Sequence, residues 1–355
     1  MTQAYINQIA TSVPDHDVHK TFVEYAPNLL SSERDRKMFR ILTQRAQIDH
    51  RFSVLTPHPD AAQFDANDFY KPGNFPTTKK RMALYKQSAF PLACKALDQL
   101  DLSAIKDKIT HIIVTTCTGF YAPGLDQDII HHYGLNPSVE RTIVGFMGCQ
   151  AAVNAMKLAH HIVRSSPTAQ VLIVNLELCT LHLQDADDID QIMSFLIFAD
   201  GCAASIVSAE PIGIEMLSFY SGIMTDSQAQ ITWQIGDTGF DMILAREVPA
   251  TIAGGIANYL PSILNGNAKE TIAHWAVHPG GRAILDAVQT GLHLREEDLQ
   301  TSRDVLRQFG NMSSATLMFV LKDILGSNSS SGLGCALAFG PGLTAESMLF
   351  QIKAG

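Results

Sequence analysis

The sequence predicts an α/β fold built from two similar halves that face each other. Strand and helix signals alternate along the whole 355-residue chain, as they do in α/β proteins. Weak internal repeats occur in the same order in both parts of the chain, which indicates duplication. We expect halves of residues 1–215 and 216–355, packed rigidly because no Ser- or Pro-rich linker separates them.

The first half contains a clear succession of elements. Mixed charge and periodic spacing indicate helices within residues 17–57. Two runs of β-branched and aliphatic residues predict buried strands, namely 109–116 and 171–174. Residues 141–144 predict a strand that leads into Gly148-Cys149. Glycines predict a turn at 119–124, and a long apolar pattern predicts a helix over 150–163.

Three pairs of segments carry the predicted duplication. Residues 110–114 resemble residues 273–277, and each run ends in a turn that contains glycine. The glycine-punctuated segments around Cys202 and Cys335 form a second pair. Such repeats, taken together, favour two related halves.

The third repeat concerns chemically active side chains. Gly148-Cys149 precedes a helix rich in small residues, and Gly310-Asn311 occupies the matching place in the second half. A pseudo-twofold relation between the halves would bring Cys149 and Asn311 to one centre.

Charge and composition exclude several classes of protein. A net charge of -9 and a pI near 5.8 give no electrostatic reason to expect nucleic-acid binding. The N-terminal residues lack a signal-peptide pattern, and no run approaches the roughly 20 apolar residues of a membrane span. The six cysteines form no CxxC pair, so we expect neither disulfides nor a metal site. We therefore expect a cytoplasmic protein.

Cys149, His278 and Asn311 are the candidate catalytic residues. A thiol at a helix N-terminus meets free N–H groups and the positive end of the helix dipole, which favour thiolate. His278 ends a predicted strand, and the Pro-Gly-Gly that follows could leave its ring facing a cavity, where an imidazolium would lower the pKa of a thiol. Individually, a buried structural cysteine, a core histidine and an N-cap asparagine would also account for them; together they favour catalysis.

Four segments resemble the signatures of type III polyketide synthases, the chalcone synthase superfamily. They are Gly148-Cys149 with its helix, His278-Pro279-Gly280-Gly281 with residues 283–286, Gly310-Asn311-Met312-Ser313-Ser314, and Gly340-Pro341-Gly342-Leu343-Thr344. The similarity extends from about residue 5 to the C-terminus. It implies the five-layered αβαβα thiolase fold and a homodimer.

The resemblance also implies a mechanism. Cys149 would take the acyl starter from coenzyme A, with His278 keeping the thiol as thiolate. His278 and Asn311 would donate hydrogen bonds to the malonyl thioester oxygen and stabilise the enolate formed when CO2 leaves. Acyl-CoA and malonyl-CoA are then the substrates, and no metal or other cofactor is required.

Further residues match positions that line the family's reaction cavity. Phe198 and Phe240 resemble the two gatekeeper phenylalanines between the CoA tunnel and the cavity, although such rings are often core residues. Ala122 stands where plant enzymes commonly carry a methionine that reaches into the partner's active site. The remaining expected lining residues are Cys117, Cys179, His182 and Ser313.

Five residues are expected to contact CoA. Arg40, Arg45 and Arg51 lie in a segment that resembles the receptor of the CoA phosphates, a task suited to guanidinium, although surface arginines are often only solvated. Gly280 and Gly281 are expected to approach CoA.

The sequence leaves the product open. Segments 141–149 and 177–184 look most like bacterial enzymes that extend fatty acyl starters to alkylpyrones or alkylresorcinols, so we expect a medium or long aliphatic starter. A malonyl-primed synthase that forms a phloroglucinol or naphthalene polyol is also compatible with the sequence. So are a ketoacyl synthase III-like enzyme, a papain-like protease and an inactive acyl-binding relative.

Overall fold

The computed structural model describes residues 2–60, 62–326 and 331–352. None of the helices in these ranges is both long and apolar enough to span a membrane. The strands are β1 (Ala4–Ser12), β2 (His16–Asp17), β3 (Phe52–Ser53), β4 (His111–Thr116), β5 (Glu140–Gly145), β6 (Val171–Leu178), β7 (Asp200–Ser208), β8 (Ile214–Ile223), β9 (Ile231–Gly236), β10 (Gly239–Leu244), β11 (Ile272–Val277), β12 (Gly332–Gly340) and β13 (Thr344–Ile352). The α-helices are α1 (His19–Tyr25), α2 (Glu33–Ala46), α3 (Thr78–Leu97), α4 (Leu102–Ile105), α5 (Leu125–Tyr133), α6 (Ala151–Ser165), α7 (Ile189–Ile197), α8 (Val248–Ile263), α9 (Arg282–Leu292), α10 (Gln300–Phe309) and α11 (Thr316–Gly326).

The elements predicted in the first half are confirmed. The two predicted buried strands form β4 and β6, and every residue of β6 is buried, as expected for a strand covered on both faces. Residues 141–144 lie in β5, which ends the sheet and is largely exposed. The predicted helix over 150–163 is α6, which follows a short 3-10 turn at Gly148–Gln150. The charged segment 17–57 contains α1 and α2, and the Ser32 side chain caps α2 by accepting a hydrogen bond from the Asp35 amide.

Nine strands form one mixed sheet in the order β11-β12-β13-β8-β1-β7-β6-β4-β5. In the first half, β4 is parallel to β5 and β6, and β7 is antiparallel to β6 and β1. In the second half, β11 is parallel to β12, and β13 is antiparallel to β12 and β8. A short antiparallel pairing of β1 with β8 joins the two halves.

The two halves therefore repeat one topology. The strands β1, β4, β6 and β7 correspond in order and direction to β8, β11, β12 and β13. This correspondence confirms the repeat of residues 110–114 with 273–277, since 111–114 lie in β4 and 273–277 in β11. The pairing of Cys202 with Cys335 is wrong, because β7 and β12 are not equivalent strands. Glycine punctuation alone does not identify a position in a sheet.

Three hydrophobic cores hold five layers together, which confirms the αβαβα arrangement. The outer core of the first half packs α3 and α5 on the sheet, and the outer core of the second half packs α8 and α9 on it. Between the half-sheets lies a core around α6 and α11. The N-terminal ends of these two central helices lie close together and position the site.

Candidate active site

Cys149 lies at the start of α6, as predicted. Gly148 has a φ of +68°, and a Cβ at this position would lie 2.4 Å from Cδ of Pro341. Both constraints require glycine. The Gly148 amide donates a hydrogen bond of 3.2 Å to Sγ of Cys117. The turn thus presents the Cys149 thiol, which is partly exposed, to an internal cavity.

Asn311 occupies the matching turn before α11. Gly310 has a φ of +69°, close to that of Gly148. The backbone of Asn311 pairs with the neighbouring segment, since its amide donates to the Ile197 carbonyl (2.7 Å) and its carbonyl accepts from the Ala199 amide (2.9 Å). Its Nδ2 donates to the Gly280 carbonyl at 3.1 Å. An amide group has two N–H donors, so one donor is left for a ligand.

His278 follows β11 directly. Its amide donates to the Leu337 carbonyl at 2.8 Å and so continues the pairing with β12. The side chain is 1% exposed, and neither Nδ1 nor Nε2 has a hydrogen-bond partner among the described residues. A buried imidazole without partners is available to a substrate atom.

The structure brings Cys149, His278 and Asn311 around one cavity of about 90 Å³. The Sγ of Cys149 lies 4.0 Å from Oδ1 of Asn311. The remaining wall is mostly apolar and includes Phe195, Ile231, Trp233, Met242, Leu244, Val248, Ile284 and Phe339. Such a cavity excludes water and strengthens electrostatic interactions inside it.

The ionisation of the thiol depends on its neighbours. Burial raises the pKa of Cys149 to about 11, although hydrogen bonds with Ser313 and Asn311 act to lower it. Burial also lowers the pKa of His278 to about 3. Each group by itself is therefore neutral at pH 7. A thiolate forms only if the proton passes to His278, so that the opposite charges stabilise each other. The expected thiolate stays a prediction.

Five of the expected substrate-binding residues line this cavity: Phe198, Cys117, Cys179, His182 and Ser313. Phe240 does not. It is 2% exposed and lies behind the cavity wall, stacked on His182 at a centroid distance of 4.9 Å and close to Trp233 at 5.7 Å. Met242, two residues further along β10, lines the cavity instead.

Ala122 also lies outside the cavity of its own chain, although it was expected to bind substrate. It is exposed in the loop after β4. Phe120 in the same loop is 46% exposed.

An open groove of about 880 Å³ adjoins the cavity. Leu244, Val248, Gly280 and Ile284 line both. Of the five residues expected to contact CoA, Arg45, Gly280 and Gly281 line the groove. Three further arginines there, Arg34, Arg246 and Arg282, were not predicted from the sequence.

Arg40 is not among the groove residues, and helix geometry explains why. Arg34, Met38, Leu42 and Arg45 of α2 line the groove and recur at helical spacing on one face. Arg40 is offset from that face, two residues after Met38, and is exposed.

Arg51 is placed away from the groove, so the expected CoA contact is wrong. Its side chain is 1% exposed. The guanidinium donates to the carbonyls of Phe195 and Phe198 and to Nδ1 of His19. A buried guanidinium committed to these acceptors cannot reach a phosphate in the groove.

Glu177 is a cavity residue that was not predicted from the sequence. Its carboxylate accepts hydrogen bonds from the Cys117 amide at 2.9 Å and from Oγ of Ser314 at 2.6 Å. Burial raises the pKa of Glu177 to about 7, against these hydrogen bonds. A signal was present in the sequence, because a carboxylate is rarely buried in a strand as apolar as 171–178, where Asn175 is the other polar residue.

Trp233 is a second cavity residue that was not predicted. Its Nε1 donates to the Cys117 carbonyl at 3.3 Å, and its ring contacts His182 edge-on at 4.7 Å. No local pattern marks it, because the β9–β10 hairpin folds over the cavity only in the tertiary structure.

The arrangement supports covalent acyl chemistry. A thiol at the end of an apolar cavity can carry an acyl group, while a neutral imidazole and an amide N–H can stabilise a developing oxyanion. Within the described ranges, no three or more His, Cys, Asp or Glu side chains are grouped to hold a metal ion. That no cofactor is needed stays a prediction.

Comparisons with known proteins agree along nearly the whole chain. Residues 2–211 match the N-terminal domain of the chalcone and stilbene synthases, and residues 215–353 match the C-terminal domain. The alpha-pyrone synthesis polyketide synthase-like Pks18 of Mycobacterium tuberculosis is 34% identical over 368 residues, which cover 99% of this chain and 92% of the relative.

Solved structures agree as well. The 1,3,6,8-tetrahydroxynaphthalene synthase of Streptomyces coelicolor A3(2), a bacterial type III polyketide synthase, gives a TM-score of 0.88 at 26% identity and covers 99% of this chain and 100% of its own. The C-terminal type III polyketide synthase domain of Steely1 from Dictyostelium gives a TM-score of 0.88 at 26% identity, covering 98% and 99%.

Proposed function

The chain belongs to the chalcone and stilbene synthase family of type III polyketide synthases, and we propose that it extends an aliphatic acyl-CoA starter with malonyl-CoA and closes the product to an α-pyrone. Members of this family are decarboxylating, condensing acyltransferases that use acyl-CoA and malonyl-CoA. The observation that carries the proposal is the meeting of Cys149, His278 and Asn311 at one apolar cavity beside the arginine-lined groove.

The first step would be transfer of the starter to Cys149. CoA would lie in the groove, where Arg34 and Arg45 supply positive charge for its phosphates. The other two arginines of the groove, Arg246 and Arg282, are paired with Asp190 and Asp286. The Cys149 thiol gives its proton to His278, and its sulfur attacks the thioester carbonyl. The carbon–sulfur bond to CoA breaks, and the CoA thiolate takes the proton. The acyl group is then held as a Cys149 thioester.

The second step would form the new carbon–carbon bond. Malonyl-CoA loses CO2, and the electron pair of the broken bond becomes an enolate, whose oxygen accepts hydrogen bonds from His278 and from the free N–H of Asn311. The enolate carbon attacks the thioester carbon of acyl-Cys149, and the thiolate leaves. The product is a β-ketoacyl-CoA one unit longer, and transfer back to Cys149 permits another cycle.

The last step would be ring closure. An enol oxygen of the extended chain attacks its terminal thioester carbonyl, the thiol leaves with a proton, and an α-pyrone remains. The 34% identity to the alpha-pyrone synthesis polyketide synthase-like Pks18 supports closure to an α-pyrone. Apolar side chains such as Ile231, Leu244 and Ile284 in the wall support an aliphatic starter.

The test is incubation of purified protein with malonyl-CoA and a series of saturated acyl-CoA starters of increasing length, with products identified by mass spectrometry. Wild type is compared with Cys149→Ala and with Cys202→Ala, a cysteine buried in β7 that is not part of the cavity wall. We expect starter-dependent pyrones from wild type and Cys202→Ala and none from Cys149→Ala. A resorcinol product would contradict the proposed closure to an α-pyrone. A product from malonyl-CoA alone would indicate a malonyl-primed synthase. No CoA release with any starter would indicate an inactive acyl-binding relative.

We also propose a homodimer formed through the face around β5. This strand ends the sheet, and Phe120, Ile143 and Met147 beside it are 46%, 49% and 37% exposed. Apolar side chains along a sheet edge favour association. Light scattering should give a dimer for wild type and for Ile212→Asp, a control at a distant exposed position, and a monomer for Ile143→Asp. A monomeric wild type would contradict the proposal.

A further inference from the structure

Two arginines lie fully inside the protein. Arg51 and Arg81 are 1% and 0% exposed. Burial of a cation is unfavourable unless hydrogen bonds compensate it, and both guanidinium groups find backbone carbonyls. Arg81 donates to the carbonyls of Leu181 and Leu183 at 2.7 and 2.8 Å. Arg51 donates to two carbonyls at the end of α7, whereas the acceptors of Arg81 lie on either side of His182. The two buried cations therefore support different parts of the cavity wall.

The acceptors of Arg51 lie at the C-terminal end of α7. Nη1 donates to the carbonyls of Phe195 at 2.8 Å and Phe198 at 2.7 Å, where carbonyls lack helical partners and a cation is favourable. The side chains of both phenylalanines line the cavity. Nε donates to Nδ1 of His19 at 3.0 Å, which fixes the plane of the guanidinium.

The same segment supports Asn311. The backbone of Asn311 exchanges two hydrogen bonds with residues 197 and 199, on either side of Phe198. Gly310 packs directly on Arg51, because a Cβ at residue 310 would lie 2.9 Å from Cγ of Arg51. Arg51 therefore contacts both strands of the small bridge between Phe198 and Asn311.

We infer that Arg51 is a positioning residue, which sets Phe198 and Asn311 at the distances from Cys149 that decarboxylation of malonyl-CoA requires. The inference rests on the proposed function. Cys149 belongs to the turn before α6 and has no bond to Arg51, so this guanidinium acts on the thiol only through Asn311. Displacement of a catalytic donor by about 1 Å can cost on the order of 100-fold in rate.

The test compares Arg51→Lys with Arg81→Lys. Lysine retains the charge, but a single ammonium cannot reproduce the planar set of donors to two carbonyls and His19. Arg81→Lys makes the same exchange at equal burial, away from Asn311. We expect kcat for conversion of malonyl-CoA to acetyl-CoA to fall about 10- to 100-fold in Arg51→Lys, with KM unchanged. In Arg81→Lys it should fall far less, because Arg81 supports the segment around His182 and not the segment that holds Asn311.

Alkylation of Cys149 by iodoacetamide separates positioning from damage to the fold. We expect the alkylation rate in Arg51→Lys to fall far less than kcat, since the guanidinium of Arg51 bonds to His19 and to the end of α7 and not to His278, the proposed base. The inference is overturned if Arg51→Lys raises KM with kcat unchanged, as a CoA-binding arginine would, or if both lysine variants lose kcat equally. A wild type that neither decarboxylates nor condenses would overturn the proposed function and this inference with it.

A pair of variants at His19 tests the inference even if Arg51→Lys does not fold. Asparagine can accept from Nε through Oδ1, close to the place of Nδ1, whereas leucine cannot. We expect His19→Leu to lower kcat for decarboxylation several-fold and His19→Asn to restore it. Equal kcat in the two variants would overturn the inference.

Discussion

Sγ of Cys149 lies 4.0 Å from Oδ1 of Asn311, although 162 residues separate them in the sequence. The relation follows from the duplicated fold. Gly148 and Gly310 adopt nearly equal left-handed φ angles of 68° and 69°, and each turn leads into a central helix, α6 or α11. The pseudo-twofold axis thus brings a nucleophile from one half and a hydrogen-bond donor from the other to one cavity.

The first prediction concerns the ionisation of Cys149. If His278 takes the proton of the thiol, the iodoacetamide alkylation rate of wild type should already be high at pH 7. In His278→Ala no base remains, so the rate should rise only as pH approaches the pKa of about 11 that burial gives the thiol. The measurement is the alkylation rate from pH 6 to 10. Identical pH profiles of the alkylation rate for wild type and His278→Ala would refute proton transfer from Cys149 to His278.

The second prediction concerns Glu177 and stability. Burial raises its pKa from 4.5 to about 7, so the folded carboxyl binds a proton more tightly than the unfolded one. This contribution to stability is present below pH 4.5 and is lost as pH rises to 7. Relative to Glu177→Gln, wild type should lose roughly 2 kcal/mol of unfolding free energy between pH 5 and 8. Urea unfolding at pH 5 and pH 8 measures the unfolding free energy of each protein. An equal change between the two pH values in wild type and Glu177→Gln would argue against a raised pKa of Glu177.

The third prediction concerns Trp233 and starter length. Replacement by alanine should enlarge the cavity and raise the ratio of kcat/KM for long over short acyl-CoA starters by about tenfold. Phe240→Ala is the matched control, because Phe240 lies behind the wall. It should lower the unfolding free energy by about 3 to 5 kcal/mol without this change in preference. If Phe240→Ala rather than Trp233→Ala altered the starter ratio, Phe240 would act as the gatekeeper that the sequence predicts.

The fourth prediction concerns two arginines on α2. Arg45 lines the groove and Arg40 does not. Loss of an exposed contact with a CoA phosphate costs about 1 kcal/mol, so Arg45→Ala should raise KM for acyl-CoA about fivefold with kcat unchanged. Arg40→Ala should leave KM unchanged. The measurement is KM for acyl-CoA from steady-state kinetics at low salt. An equal rise of KM in Arg45→Ala and Arg40→Ala would show that α2 contacts CoA on both faces.

Much of the fold could be predicted because local patterns determine it. Buried strands such as β4 and β6 are continuous β-branched runs, and the Gly-Cys and Gly-Asn pairs mark equivalent turns. His278 could be selected as a candidate site residue because the Pro-Gly-Gly that follows it predicts a turn at the end of a strand.

Other features depend on tertiary contacts that no local pattern carries. Phe240 and Met242 lie on one strand, and only the packing of His182 and Trp233 decides which of them faces the cavity. Arg51 has the sequence context of a surface arginine, and it is buried because the C-terminal end of α7 packs over its guanidinium. Glu177 is different, because its carboxylate in an apolar strand could have been recognised from the sequence.

The most direct test of covalent catalysis by Cys149 is the intact mass of the protein after brief incubation with an acyl-CoA starter and no malonyl-CoA. We expect a mass gain equal to one acyl group, located on the peptide that contains Cys149 and absent from Cys149→Ala. No acyl adduct in wild type, or an adduct that persists in Cys149→Ala, would contradict the assignment of Cys149 as the nucleophile.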